Sequence, residues 1–494
     1  MKRALTAALA LAVAVGLAVG MGAAAARANV ALTQISSDPF TNPTSQHATE
    51  VEPDTFAFGS TIVAAFQQGR FVSGGGASGI GWATSTDAGA SWVHGSLPGI
   101  TRFAGNGPYD RATDPVVAYD AKHGVWLIAS LGKHQATGTW DVLVSRSTDG
   151  RSWSTPVTVA LNPAHGSLDK PWIVCDNSST SPFYGHCYQQ WTDFVGACSQ
   201  HVQLSTSTDG GLTWGPVETP ANTASATGGQ PVVQPNGTVI VPITGGCNQN
   251  SLLVFRSVDG GASWSAIVHV TPIRRHVVAG GIRGGKYVLP SAEIDGAGRV
   301  FVAWQDCRFR PNCRSNDIVF STSTDGVNWS AVTRIPIDPV SSTVDHFIPG
   351  LAVDRSTSGA SAHLGVAYHY YPQTDCDFST CQLDVGFIAS TDGGATWGTS
   401  TRLAGPMSLG WLADTSGGRM VGDYISTSFA SDGKAHPVIA VANAPSGGLF
   451  DEATYTAAGG LEAVGGSAVA TASGVVFTGE TMLSQPPPTQ PPTQ

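Results

Sequence analysis

A proline recurs at the head of apolar runs in this chain, and the residues flanking it are the first place to look for chemistry. The copies are Glu52-Pro53-Asp54, Asp114-Pro115-Val116, Lys170-Pro171-Trp172, Gln230-Pro231-Val232, Leu289-Pro290-Ser291 and Ile348-Pro349-Gly350. A seventh, degenerate copy without proline reads Val421-Gly422-Asp423-Tyr424. Acidic residues concentrate in the first, second and seventh copies. Asp110 and Arg111 lie just upstream of the second, and Asp169 adjoins Lys170. Carboxylates held close together split their pKa values, which yields one acid and one base or nucleophile. The plainer reading is that Asp-Pro and Glu-Pro only cap strand entries.

Further candidates stand out by breaking the repeat. Glu293 occupies a position that holds Ala118, Val174, Gln234 and Ala352 in other copies. Such an exception marks either function or an ion pair with an Arg. Arg70 and Arg308 fall at matching places, after Ala65-Phe66-Gln67-Gln68-Gly69 and Ala303-Trp304-Gln305-Asp306-Cys307. Aromatic-rich segments occur at Tyr368-His369-Tyr370-Tyr371 and Gln190-Trp191-Thr192-Asp193. Aromatics beside acids and Arg suit stacking on sugar rings and hydrogen bonding to hydroxyls or carboxylates.

The elements that must position these residues come from a second repeat. Ser-x-Asp, then Gly, then Trp, recurs six times, first as Ser85-Thr86-Asp87-Ala88-Gly89-Ala90-Ser91-Trp92. The later copies begin at Ser147, Ser207, Ser257, Ser323 and Ser390. Successive Asp residues are 62, 60, 50, 66 and 67 positions apart. A period of that size means one supersecondary unit per repeat, each burying its neighbour's face. Asp accepts from backbone amides a few residues on, Gly supplies positive φ, and Trp covers the turn. Alternating apolar residues precede each copy, so the unit is strand, tight turn, strand. Six near-identical aspartates cannot share one active site, so these are structural.

The six copies resemble the Asp-box of the sialidase-like β-propellers, and the resemblance covers essentially the whole chain after its first residues. It implies an all-β fold of four-stranded antiparallel blades, with the boxes on the face away from the binding site. Seven proline-type openings and six boxes predict seven blades, with six as the alternative. The strand-like segment Val30–Ile35 is expected to close the ring with the last blade. Around such a ring, blades one, two and seven are neighbours, which gathers their acidic residues at one mouth.

The resemblance implies a sialidase-like glycosidase acting on extracellular glycan or polysaccharide. Asp54, Asp114, Glu293 and Tyr424 are the catalytic candidates, with Tyr424 as nucleophile polarised by Glu293 and Asp54 or Asp114 as acid. Glu52, Arg70, Arg111, Asp169, Lys170, Arg308, His369, Tyr370 and Asp423 are the substrate-binding candidates. One departure from the family is plain. Its Arg-Ile-Pro motif does not precede the first box, and Arg334-Ile335-Pro336 follows the fifth. A non-catalytic glycan- or protein-binding propeller is therefore an alternative. A polysaccharide lyase with His369 and Tyr370 as base and acid is another.

Composition agrees with β structure. The chain has 494 residues with 60 Gly, 30 Pro and only 12% charged residues. Charged helix formers are scarce, and Gly, Ser, Thr and Val abundant. Length alone suggests about three domains, and the repeat reduces these to one, residues 29–480, with a Pro/Thr/Gln tail at 481–494. A net charge of −10 excludes a nucleic-acid partner. No metal-ligand cluster or cofactor motif is evident, which leaves room only for a structural calcium ion on loop aspartates, and a monomer is expected. Lys2 and Arg3, an uncharged run to Ala26, and Ala26-Arg27-Ala28 read as a signal peptide, 1–28. The protein is then secreted, with no membrane contact after cleavage. Eight cysteines suit disulfides in an exported chain. Local pairs Cys307–Cys313 and Cys376–Cys381 are expected, then Cys175–Cys187, leaving Cys198–Cys247. N-terminal sequencing of protein recovered from culture medium is expected to start at Asn29, and a start at Met1 would overturn the leader assignment.

Overall fold

The computed structural model describes residues 30–465 except 163–166, 197 and 247. The expected leader and tail lie outside the described residues. Among those described there is no α-helix, only four single-turn 3-10 segments. No helix among them is long and apolar enough to cross a membrane. The rest is six antiparallel sheets, mostly of four strands.

The strands pair as meanders, and the opening proline lies within the first strand at Pro53, Pro115, Pro171 and Pro349. Glu50–Phe58, Thr61–Arg70, Ala77–Ser85 and Val93–Ser96 pair in that order. The next four, Arg111–Asp120 to Val157–Ala160, join the same sheet through one residue pair, Ala77 with Ala112. Later sheets open at Leu168–Cys175, Val232–Val233, Ser291–Ile294, His346–Val353 and Ser426–Phe429. These opening strands touch one another in chain order, and the last touches the first. The segment Leu32–Gln34 forms the outer strand of the last sheet, antiparallel to Glu452–Ala457. Apolar residues fill the layers between sheets. Ile240 and Val254 of one sheet, for example, cluster with Val300, Val302, Trp304 and Val319 of the next.

The six repeated turns share one hydrogen-bond scheme. In each, the Ser hydroxyl donates to the Asp two residues on, at 2.7–3.1 Å. The other carboxylate oxygen takes the side chain just before the Trp: Ser91, Ser152, Thr213, Ser263, Asn328 or Thr396. That position is thus restricted to a short donor, a rule the motif as first read lacked. Gly89 shows why glycine recurs: its φ is 83°, and a Cβ there would meet the His436 ring at 2.5 Å. Ser60, in the turn after the first opening strand, bonds the first repeated turn from both its hydroxyl and its carbonyl. The repeated turns therefore lie at the ends of the opening strands, away from their prolines.

Disulfides join Cys175–Cys187, Cys307–Cys313 and Cys376–Cys381 as expected. Cys198 is disulfide-bonded too, but its expected partner Cys247 lies outside the described residues. Among the described residues, Asp317, Asp338 and His346 are the one group of possible metal ligands. Arg310 and Arg334 already bridge both carboxylates there, at 2.5–2.8 Å. The guanidinium groups take the place a cation would need, and Arg334 of the stray Arg-Ile-Pro is a structural residue.

Acid and base act on this fold from opposite sides. Hydrogen bonds hold the turn carboxylates of Asp87, Asp149 and Asp325 below their ordinary value. In Asp209, Asp259 and Asp392 the same bonds outweigh partial burial with the same result. Their support is present above about pH 4 and lost as pH falls below it. Glu50 and Glu452 are buried where the N-terminal strand meets the last sheet. Glu50 accepts from Ser36 and Glu452 from the Ala413 amide, and each keeps one oxygen with no partner. Burial, with Asp38 adding, pushes Glu50 up to about 8; burial and Glu50 push Glu452 well above its ordinary value. Stability from such raised groups is complete below their ordinary value and lost as pH rises through the folded value. The melting temperature is expected to peak at mildly acidic pH and decline toward pH 8, with Glu50→Gln flattening the decline; an unchanged slope would refute this. Asp209→Ala is expected to destabilise by about 1–2 kcal/mol, measured by denaturant unfolding, because four backbone and hydroxyl donors lose their acceptor.

Candidate functional site

The proline that opens each sheet deforms its strand. Pairing registers skip between Val51 and Asp54, Thr113 and Val116, Asp169 and Trp172, and Phe347 and Gly350. Proline lacks the N–H that a ladder needs, so a bulge forms there. The residue before it takes a left-handed backbone: φ is 57° at Glu52, 53° at Asp114, 52° at Lys170 and 50° at Ile348. That conformation costs roughly 1–2 kcal/mol for a residue with a Cβ.

The first three of these strained residues meet. Lys170 Nζ lies 2.8 Å from Asp423, 3.5 Å from Asp114 and 3.6 Å from Asp169. Arg283 forks onto Asp423 with Nε at 3.0 Å and Nη2 at 2.9 Å. Glu52 accepts from the Asp423 amide at 3.1 Å and from the Gln67 side chain. Asp114 and Asp169 share a hydrogen bond. A cavity of about 170 Å³ opens beside them, lined by Arg70, Asp114, Trp140, Asp169 and Arg283. The Asp169 side chain is 39% exposed whereas that of Asp114 is 4% exposed, so Asp169 is the more open of the two carboxyls beside the cavity.

Packing and charge set the protonation of the group. Burial works against the charged forms of Lys170 and Asp423. Their opposite-charge partners outweigh it, holding Lys170 well above and Asp423 far below its ordinary value. Asp114 is likewise lowered, Lys170 overcoming burial. Confinement in the cleft raises Asp169 to about 6, with Asp114 adding and Lys170 opposing. Glu52 is raised to about 8 by burial and by Asp114 and Asp423. Burial lowers Arg70 to about 10, and neighbouring Arg283 adds to this. The arrangement at neutral pH is one proton-bearing Glu52, two fixed carboxylates, three cations and an Asp169 near its titration point.

Searches of family models and of curated proteins match nothing. Solved structures do match. A Hadza microbial sialidase is 16% identical over 70% of this chain, with a TM-score of 0.43; the match spans 65% of the sialidase, just under two thirds of its length. A PL25 ulvan lyase is 12% identical over 87% of this chain and 96% of its own, with a TM-score of 0.48. An α-L-arabinofuranosidase of Fusarium graminearum is 10% identical, over 87% and 97%, with a TM-score of 0.42. These likenesses are of structure alone, at 10–16% identity.

Several expected residues are placed elsewhere. Glu293 is not at this cluster: it pairs with Arg355 at 3.2 Å and lines a cavity at the far ends of the opening strands. Asp54 points inward as well, accepting from the Val117 amide at 2.7 Å, and burial raises it to about 7. Tyr424 is buried, donates to the Pro115 carbonyl at 3.0 Å and stacks edge-on with Trp172. Burial and then Glu52 raise its hydroxyl well above the ordinary value, and Glu52 rather than Glu293 is its foremost acidic neighbour. His369 has no exposure, stacks on Phe347 and has no partner for either ring nitrogen; burial lowers it to about 3. Tyr370 stacks on His346, and burial and Asp384 raise it. Arg308 forks back onto Asp306 and onto Thr271 and Pro272 of the preceding sheet. Each of these is held by local contacts.

Arg111 sits at the rim, where it donates to the Ser73 and Gly75 carbonyls over the Phe71 ring. Lys133 clamps the same glycine loop at Gly74 and lies over Trp140. Arg283 and Gln67 are the partners that sequence reading missed. Arg283 comes from an irregular segment between sheets with no repeat to align it. Gln67 had a signal, since it precedes Arg70 in the segment already matched to Ala303–Arg308.

Proposed function

We propose that this chain is a secreted, seven-bladed propeller that acts on extracellular glycan at the mouth formed by Asp114, Asp169, Lys170, Arg283 and Asp423. The blade count is supported by seven opening strands that touch in chain order. Closure by the N-terminal strand is supported by its pairing into the last sheet. Secretion is supported by the disulfides and the leader-like N-terminus.

The observation that carries the catalytic reading is the Asp114–Asp169 pair. Two carboxyls sharing one proton titrate apart, and here the exposed member holds the higher value. Asp169 is suited to protonate a glycosidic oxygen as the bond to the sugar carbon breaks, and Asp114 and Asp423 face the positive charge that develops. Water then adds to that carbon and restores the proton. The hydrogen-bonded pair is too close to flank a scissile bond, which takes carboxyls about 5–9.5 Å apart. It therefore works as a single acid unit, not as acid and nucleophile. Trp140 offers an aromatic face beside it.

A second reading, a glycan-binding propeller without turnover, is favoured by one observation. Tyr424 is closed in on Pro115 and Asp423 is held by Arg283 and Lys170, so neither of these two offers a free nucleophile at the mouth. Assay of the purified protein on sialosides, neutral polysaccharides and uronate polymers separates the readings. Catalysis predicts new reducing ends, activity falling above about pH 6, and a loss of 100-fold or more in Asp169→Asn. Retention of an unchanged glycan, abolished by the same substitution, supports binding alone.

A further inference from the structure

A second cavity lies away from the acidic mouth. It encloses about 890 Å³ and lies where the opening strands end, reached by Phe58, Asn177, Pro235, Asp295, Arg355 and Gly433. That volume falls within the roughly 300–1,000 Å³ of small-molecule sites. Neither the mouth chemistry nor the repeated turns account for it.

Most polar groups there are already committed. Asp295 accepts from the Ala297, Arg299 and Gly359 amides. Asp354 accepts from Ser356, and Asp432 from the Lys434 amide. Asn177 uses its amide oxygen on Ala121 and its amide nitrogen on Tyr119. What faces the space is a smaller set. Arg355 lies with its guanidinium 5.1 Å above the Phe56 ring and uses one nitrogen on Glu293 at 3.2 Å. Phe58 is 43% exposed and stacked against Tyr119 at 4.4 Å.

This set discriminates by charge. Four carboxylates (Glu293, Asp295, Asp354 and Asp432) border the cavity and oppose an anion. A cation would have to displace Arg355, which already covers the Phe56 face and the Glu293 carboxylate. A guanidinium and a carboxylate side by side offer donors and an acceptor to adjacent hydroxyls, and the exposed Phe58 ring offers a surface for C–H groups. We infer that this far-end cavity is a second ligand site, separate from the acidic mouth, and that it takes a neutral saccharide through Arg355, Glu293 and Phe58.

The inference does not depend on what the mouth does. Saturation-transfer NMR and calorimetry on the full chain, with galactose, mannose, N-acetylglucosamine and their neutral oligomers, test it. Binding of at least one neutral sugar is expected, weakened tenfold or more in Arg355→Met and in Phe58→Ala and unchanged in Asp169→Asn. Phe58→Ala removes an exposed ring, so a matching circular dichroism spectrum and melting curve separate lost binding from misfolding. Binding that is lost in Asp169→Asn but kept in both far-end variants would place the sugar at the mouth and overturn the inference. Failure of every neutral sugar, or Arg355-dependent binding of spermidine or sialic acid instead, would overturn it as well.

Discussion

The strained residue ahead of four of the opening prolines is the constraint on which the rest of the mouth depends. Proline forbids a ladder bond, the strand bulges, and the preceding backbone turns left-handed at Glu52, Asp114 and Lys170. A regular strand would leave these side chains to its ordinary alternation between faces. The bulge instead lets three charged or acidic residues from three strands converge. Packing of the sheets holds them there despite the backbone cost. Ile348 shows the same backbone in a copy that carries no chemistry, so the distortion belongs to the fold and the cluster is an elaboration of it.

Charge balance is the second condition. Lys170 touches three carboxylates and Arg283 forks onto one of them. In buried carboxylates without such partners burial raises the pKa, as at Glu50 and Glu452. The cations lower Asp114 and Asp423 at little exposure, while Glu52 and Asp169 of the same cluster are raised.

Much of this was legible in the residues. The recurring turns located the hairpins, and the opening prolines located the first strands. The acidic bias of copies one, two and seven pointed to Glu52, Asp114 and Asp423. Column alignment failed where the strand is irregular. Asp423 and Asp54 share a column, yet Asp423 sits in unpaired backbone and reaches Lys170, whereas Asp54 resumes the ladder just after the bulge and accepts from the Val117 amide. Glu293 was singled out correctly as an exception, and its partner is the Arg that the plainer reading anticipated. His369 and Tyr370 looked reactive because residue type says nothing about burial.

The pairing of Gln34 with Tyr455 spans 421 residues. A chain emerging from a ribosome or a translocation pore must therefore carry its first strand unmatched until nearly all of it has been made. During that interval the strand edge is open to other chains. Factors that shield nascent strands, rather than the strength of the finished fold, then set how much protein survives synthesis.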